Sequence, residues 1–382
     1  MNLNLQKLIL FCLISLYYIY YIKNSEIRCG LNVTNLHCNI LYIQMNQTEK
    51  PLISIVMAYF NRINQIQSAL TSISKSSYKK FEVIIVDDAS NEMHNLKNLI
   101  NNYDFPIKLL IIKEEQKTWK NPCVPYNLGF KMARGEFIII QNPEIYHVGD
   151  VLSYVSKNLQ EGTYLSFSVY NSPSPTHNNE LTKLDSLNNY AIINEFINKI
   201  RYEDFDFDYD FYINSYDDIK NLNIVEAMNH WNNIGIKERR LCNKNHIFHP
   251  KAYIQWKGWY NHPVHNNRPY HFLSAITRKD LNKIGGFDPI FKNGIWYDDD
   301  DFLSRVSKVS NVKNIDTNDV FGVHLYHEMG SADQMNQPNF KTLRAINKKL
   351  RRANIKHNII VADVGDPEEY KNYELIENKI EK

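Results

Sequence analysis

The apolar residues of this chain fall into short, nearly continuous runs, separated by segments whose apolar positions recur at helical spacing. Leu52–Phe60, Phe81–Val86 and Ile107–Ile112 are such runs. Segments this short and continuous, bounded by polar and turn residues, predict strands buried on both faces. Between the first two, Ile63, Ile66, Leu70 and Ile73 recur every three or four residues, which predicts an amphipathic helix with Asn64 and Gln67 as a capping box. A further helix is predicted over about 124–133 and a strand over Glu136–Ile140. Strands alternating with helices at this spacing predict crossover units, hence an α/β fold with a mostly parallel sheet flanked by helices. In such sheets ligands lie beyond the carboxyl ends of the strands. Asp87-Asp88 and Gln141-Asn142-Pro143-Glu144 fall at those ends.

The pattern sets provisional boundaries. Residues 51–170 form a first α/β half. Residues 171–245 break the rhythm with Pro173, Pro175 and many Asn, then carry helically spaced aromatic and apolar residues up to a stop at Gly235; they predict a linker and a small helical insertion. Residues 246–335 return to strands and helices, and 336–382 predict a terminal helix and a charged, frayed tail.

At the N-terminus, Leu8–Ile22 is uncharged between Lys7 and Lys23. It is shorter than the ~20 residues of an ideal spanning helix, but its tyrosines suit the water–lipid boundary. No small-x-small cleavage site follows. Residues 1–23 are expected to be an uncleaved, single-pass signal-anchor, with the remainder lumenal or external; a cleaved signal peptide and a hydrophobic tail without a membrane role are the alternatives. Residues 24–50 are polar and predict a stem. Asn32-Val33-Thr34 and Asn46-Gln47-Thr48 fit glycosylation sequons, which arise often by chance in an Asn-rich chain.

Composition narrows the function classes. Lys and Arg number 44 against 42 Asp and Glu, so no basic footprint of a nucleic-acid binder is present. The five cysteines form no CxxC or Cys/His ligand spacing, which argues against structural zinc. Cys29 and Cys38 are either paired or free thiols. No phosphate-loop or dinucleotide glycine fingerprint occurs.

Four adjacent carboxylates, Asp298-Asp299-Asp300-Asp301, precede the helix-like stretch Phe302, Leu303, Val306 and Val309. Crowded carboxylates repel one another and raise each other's pKa, which makes a better base. Capping of a helix N-terminus is the ordinary alternative for Asp300 and Asp301.

Ser54–Arg62, Val83–Ser90 and Asn127–Glu136 together resemble the family 2 glycosyltransferases of the GT-A fold. The block from His271 through Gly285-Gly286-Phe287-Asp288 to Tyr297–Arg305 resembles the acceptor-side half of galactosyltransferase-like members. The resemblance covers roughly 51–170 and 246–330 and implies transfer of a sugar from a nucleotide carrier, a UDP-sugar, to a hydroxyl on a glycan, protein or lipid. It places Ala58, Phe60 and Asp88 at the nucleotide, Asp88 accepting from the uracil ring; a helix N-cap is the alternative for Asp88. It places Asp299 as general base of an inverting transfer with Asp298 the preceding acid, and Asp301 and Arg305 at the start of the following helix. The family's Asp-x-Asp metal motif is altered here. Its last carboxylate falls on Glu144, in a Gln-Asn-Pro-Glu string followed by His147 and Gly149-Asp150. A divalent ion, Mn²⁺ or Mg²⁺, is then expected on Glu144 and a late histidine. His324 and His327 both offer themselves, their odd spacing puts them on opposite faces of a continuing strand, and His324 is the favoured one. Trp296, Tyr297 and Asp300 are expected on the acceptor side, with Trp256, Gly258, Trp259, Tyr260 and His262 as further aromatic wall, although aromatics are more often core. The altered metal motif also leaves open a metal-independent transferase and an inactive GT-A-fold protein that binds carbohydrate or serves a structural role.

Overall fold

The first apolar run becomes β1 (Ile53–Tyr59) because both of its faces find a core. Ile53, Ile55 and Met57 pack on one side with α1 (Ile63–Ser74), while Val56 packs on the other. Burial on both faces is why the run lacks alternation. The computed structural model describes residues 50–172, 175–184, 207–235, 238, 240–243, 258–316, 320–327, 338–365 and 370–379. The expected anchor (1–23), the stem apart from Lys50, both sequons and Trp256 lie outside them. No helix among the described residues is long and apolar enough to cross a membrane.

In chain order there follow β2 (Phe81–Asp88), β3 (Ile107–Ile112), α2 (Cys123–Met132), β4 (Phe137–Gln141), β5 (Ile145–Val148), α3 (Val151–Asn158), β6 (Thr163–Phe167), β7 (Val169–Asn171) and α4 (Pro175–Lys183). After them come α5 (Tyr209–Ser215), α6 (Ile224–His230), β8 (Trp259–Asn261), β9 (Leu273–Thr277), α7 (Arg278–Ile284), α8 (Asp298–Val309), β10 (Asn311–Ile315), β11 (Phe321–His324), α9 (Phe340–Lys356) and β12 (Glu374–Glu377). The main sheet has the order β10-β6-β9-β4-β1-β2-β3-β12, and a smaller one runs β5-β11-β7-β8.

The expected mostly parallel sheet is in fact mixed. β1 pairs in parallel with β2 and β4, β2 with β3, and β6 with β10. β9 enters antiparallel between β4 and β6, and β12 adds antiparallel to β3. The late strand β9 thus stitches the second half of the chain into the centre of the first. The tail is also more ordered than expected: β12 caps the sheet edge, and Lys97 pairs with Glu374 at 3.0 Å. The expected capping box at α1 is not formed; the helix starts at Ile63, and Arg62 at its cap makes no side-chain capping bond.

The motif Asn127-Leu128-Gly129 has a packing reason. A Cβ on Gly129 would run into Val56, so the missing side chain lets α2 lie close against β1. Asn127 locks the later Gly-Gly-Phe-Asp loop to the same helix. Its Nδ2 donates to Phe287 O at 2.8 Å, and Phe287 N donates back to Oδ1 at 2.9 Å. Gly286 adopts φ +80, and an added Cβ there would sit 2.6 Å from Asn127 Oδ1.

The inserted segment folds around its own apolar cluster of Tyr212, Ile219, Ala227, Trp231 and Cys242. Asp208 caps α5, and Asn223 with Glu226 forms a capping box on α6.

Candidate functional site

The parallel strands β1 and β2 end at one edge, with Tyr59 opposite Asp87. Just beyond them Asn61 (φ 51) and Ala89 (φ 65) are left-handed, a conformation non-glycine residues hold only where surroundings enforce it. Cross-links supply that enforcement: Asn61 N donates to Ser90 Oγ at 3.0 Å and Asn91 N to Asn61 Oδ1 at 2.8 Å. Asp87 is structural, accepting from Ser90 N at 2.9 Å, and burial raises its pKa to about 6. Asp88 accepts from Trp119 Nε1 at 2.8 Å and lies 2.8 Å from Lys117 Nζ. Burial pushes its pKa up, and Lys117 and Trp119 oppose that shift. Lys117 also sits 4.7 Å from the centre of the Phe60 ring, and Phe60 is 43% exposed; Ala58 packs below against the core. Nothing in the sequence pattern singles out Lys117 or Trp119, because the loop after β3 has no periodicity.

Between β4 and β5, Glu144 is buried in a nest of one guanidinium and two imidazoles. Its Oε2 takes Arg62 Nη1 at 2.8 Å, and its Oε1 lies 3.0 Å from His324 Nε2 and 3.7 Å from His327 Nε2. Burial alone would raise the Glu144 carboxyl. The Arg62 charge and the two imidazoles outweigh it and hold the group well below the usual range. Ligand atoms of Glu144, His324 and His327 all fall within 4.8 Å of one another. Both histidines therefore face Glu144, contrary to the expectation that one alone would. The period-two rule fails because β11 stops at His324 and His327 lies beyond the strand. The other ring nitrogen, Nδ1, of each is buried without a partner.

His147 and Asp150, from the same string, serve the scaffold. His147 Nε2 lies 2.8 Å from Gln141 Oε1, and burial drops its pKa to about 3, so it is neutral. Asp150 caps α3 and also takes the hydroxyls of Ser76, Ser77 and Ser153.

The acidic run opens α8, and its four members have different fates. Trp296 (φ 62) and Tyr297 (φ 69) lead into it through two consecutive left-handed residues. Asp298 is buried; Asn121 Nδ2 donates to its Oδ1 at 2.8 Å, and Oδ2 has no partner. Burial, then the neighbouring Asp299, raise the Asp298 carboxyl to about 7. Asp299 is half-exposed, and desolvation followed by the charge of Asp300 raises it to about 7 as well. His271 Nδ1 lies 3.4 Å from Asp299, but burial lowers its pKa to about 4, so at neutral pH this is a contact with a neutral ring. Asp300 accepts from Tyr270 Oη at 2.8 Å and has Arg351 at 3.7 Å. Asp301 is wholly structural, bonded to Arg305 Nε at 2.7 Å and Asn354 Nδ2 at 2.9 Å. Arg305 in turn donates to Ile284 O and Gly286 O, fixing the glycine loop.

Helix α2 joins the two centres. Tyr126 packs edge-on to His271 with centroids 5.1 Å apart. Its hydroxyl lies 3.2 Å from Gln141 O and 3.3 Å from Asn142 Oδ1, and Asn142 Nδ2 reaches Glu144 Oε1 at 3.4 Å. Burial raises the Tyr126 hydroxyl far above its ordinary pKa, and the charges of Glu144, Asp299 and Asp298 add to the shift. Cys123, one turn earlier, is raised by burial and then by Asp298, Asp288 and Asp88. One helix face is thus close enough to all three acidic groups to feel their charge. A cavity of about 510 Å³, lined by Phe60, Arg62, His94, Tyr326 and His327 among others, opens beside the Glu144 centre.

The expected aromatic wall is only partly available. Trp296 packs on Phe340 at 5.2 Å beneath Arg344, and Trp259 is core, in contact with Tyr170 and Phe321. Tyr260 packs edge-on to His324 at 4.7 Å, and Gly258 turns with φ +82 against Tyr170. His262 stacks with His265.

Residues 54–218 match the family model described as glycosyl transferase family 2. Over 112 residues the chain is 28% identical to poly(ribitol-phosphate) beta-N-acetylglucosaminyltransferase TarP of Staphylococcus aureus, a stretch covering 28% of this chain and 33% of that protein. It is 27% identical over 131 residues to a glycosyltransferase of Haemophilus influenzae, covering 34% of this chain and 47% of the relative. The chain therefore spans less than half the length of these curated relatives. Among solved structures, S. aureus TarS 1-349 in complex with UDP-GlcNAc aligns with TM-score 0.42 at 13% identity, covering 83% of this chain and 69% of that one. Mannosyltransferase PcManGT from Pyrobaculum calidifontis, in complex with GDP-Man and Mn2+, aligns with TM-score 0.40 at 14% identity, covering 88% and 76%.

Proposed function

We propose that this chain, which carries a family 2-like glycosyltransferase domain over residues 54–218, moves a sugar from a nucleotide donor, a UDP-sugar by class, to an acceptor hydroxyl with inversion at the anomeric carbon. The observation that carries the reading is that Tyr126 stands between the two centres: its hydroxyl reaches Asn142, which reaches Glu144, and its ring packs on His271, which lies 3.4 Å from Asp299.

In this reading Asp299 is the base. A carboxyl with a pKa of about 7 is partly ionised at neutral pH and basic enough to take a proton as the acceptor oxygen attacks. The new bond forms between that oxygen and the anomeric carbon as the bond to the diphosphate oxygen breaks, on opposite faces of the sugar. The charge of Asp300 supports the basicity of Asp299, and Asp298 is held beside it by Asn121. Asp88 and Phe60 border the nucleotide, with Lys117 as a cation between them. Tyr297 and Asp300 edge the acceptor side.

One carboxylate and two imidazoles with their ligand atoms together suit a divalent ion. Two nitrogen donors favour Mn²⁺ over Mg²⁺, which keeps to oxygen ligands. Such an ion would neutralise the departing diphosphate. Glu144, His324 and His327 would hold it, and Arg62 keeps Glu144 ionised. The test is a panel of nucleotide sugars assayed for released nucleoside diphosphate with Mn²⁺ and with chelator. Turnover of at least one donor that chelation abolishes is expected; no turnover of any donor would overturn the proposal.

A further inference from the structure

Helix α9 carries seven basic residues and no acidic one between Phe340 and Lys356. Two of the seven turn toward the acceptor edge described above. Arg344 lies over Trp296 at 5.1 Å and Tyr297 at 6.0 Å, and Arg351 stands 3.7 Å from Asp300. The other five, Lys341, Lys348, Lys349, Arg352 and Lys356, are exposed, and among the described residues none of them pairs with a carboxylate. At 3.6 residues per turn they fall within about 100° of arc, a stripe running the ~25 Å length of the helix.

Such a stripe is costly if left to water. Lys348–Arg352 and Arg352–Lys356 are like-charge pairs at i,i+4, each destabilising by about 0.2–0.5 kcal/mol. A merely solvated helix face is better served by alternating signs. The buried side of α9 is fixed by polar locks: Asn347 donates to Phe291 O and Trp296 O, and Asn354 to Asp288 and Asp301. The stripe is therefore held in register with the loop that opens α8. Ile346 and Ile355 are also exposed, at 41% and 51%. Nine positions apart, they lie about 180° from each other around the helix, so no apolar band accompanies the cations, as insertion into a bilayer surface requires.

We infer that α9 is a binding track for a polyanionic acceptor, a polymer bearing phosphodiester or comparable charges at regular spacing, which it guides past Trp296–Tyr297 to the carboxylates of α8. The inference rests on the acceptor side lying at Tyr297–Asp300, and it adds a substrate class to the proposed transfer. Arg344 and Arg351 mark the inner end of the track, and the exposed five extend it outward.

The test uses the full chain, medium-length inorganic polyphosphate as probe, and titrations at 50 and 200 mM salt. If five cations are engaged, affinity should fall about a hundredfold between the two salt concentrations, by the counterion-release slope of a flexible strand. The triple variant Lys348→Glu, Arg352→Glu, Lys356→Glu should bind at least about 30-fold more weakly at 50 mM, with a flatter salt slope, while donor hydrolysis is unchanged. The milder triple glutamine variant should fall between. Binding by the charge-reversed chain equal to that of the parent overturns the inference. So does parent chain that ignores polyphosphate, whether or not it binds vesicles of phosphatidylserine and phosphatidylcholine. Loss of donor hydrolysis in the parent itself, with polyphosphate binding intact, would instead count against the proposed transfer.

Discussion

Arg62 and Glu144 form an ion pair at 2.8 Å on the carboxylate oxygen that the two imidazoles leave free. One oxygen faces the guanidinium and the other faces His324 and His327, so the charge of Glu144 is fixed while one edge still points at nitrogen donors.

Glu144→Gln keeps the shape but removes the charge. Mn²⁺ affinity, followed by titration of its paramagnetic resonance signal, should drop by more than the 10–100-fold typical of losing an outer-sphere partner. The double variant His324→Ala, His327→Ala should match it. Undiminished binding in both would exclude this nest as the metal site.

Asp299→Asn removes the assigned base. Transfer should fall by about 10²–10⁴, with nucleotide binding by calorimetry unchanged. In the unaltered chain, kcat/KM should rise with pH along a limb near 7, set by the coupled Asp298–Asp299 pair. A pH profile without that limb, or an Asn variant of full activity, removes Asp299 from the chemistry.

The same pair makes stability depend on pH. The fold raises the Asp298 carboxyl from an ordinary 3.8 to about 7, so it favours the protonated form that the unfolded chain gives up at lower pH. The unfolded state therefore binds fewer protons across that window, and stability declines as pH rises from about 4 through about 7. Urea midpoints at pH 5 and pH 8 should differ less in Asp298→Asn than in the parent.

Asp301 looks equivalent in sequence but is a structural group. Asp301→Ala would strand the buried Arg305 guanidinium, and losses of this kind cost about 3–5 kcal/mol. Urea unfolding should report that loss, whereas Asp300→Ala should cost much less.

Gly286→Ala places a Cβ against Asn127 at a backbone angle of +80. Destabilisation beyond about 1 kcal/mol is expected. A neutral thermal shift would mean the loop relaxes around the methyl.

Much of this was legible in the residues. The buried strands showed as nearly continuous apolar runs, and Glu144 and Asp299 stood out at a strand end and in an acidic run, their roles coming from the family resemblance. The sheet's mixed direction was not legible, because β9 inserts between β4 and β6 from far along the chain. Nor could spacing reveal that His327 joins His324, since that depends on where β11 ends. Spacing alone did not sort the four aspartates, which only the family resemblance told apart. Their roles differ through partners on other elements: Asn121 for Asp298, His271 beside Asp299, Tyr270 for Asp300, and Arg305 with Asn354 for Asp301. Lys117 and Trp119 went unseen because a loop gives no periodic signal.

Among the described residues, the cluster around Tyr212 and Trp231 draws only on those between Phe207 and Cys242. A piece this short falls below the roughly 40 residues at which an unstapled interior can hold together alone. It should therefore melt as a separate tile, ahead of the sheet, and offer a protease its first cut while the sheet stands.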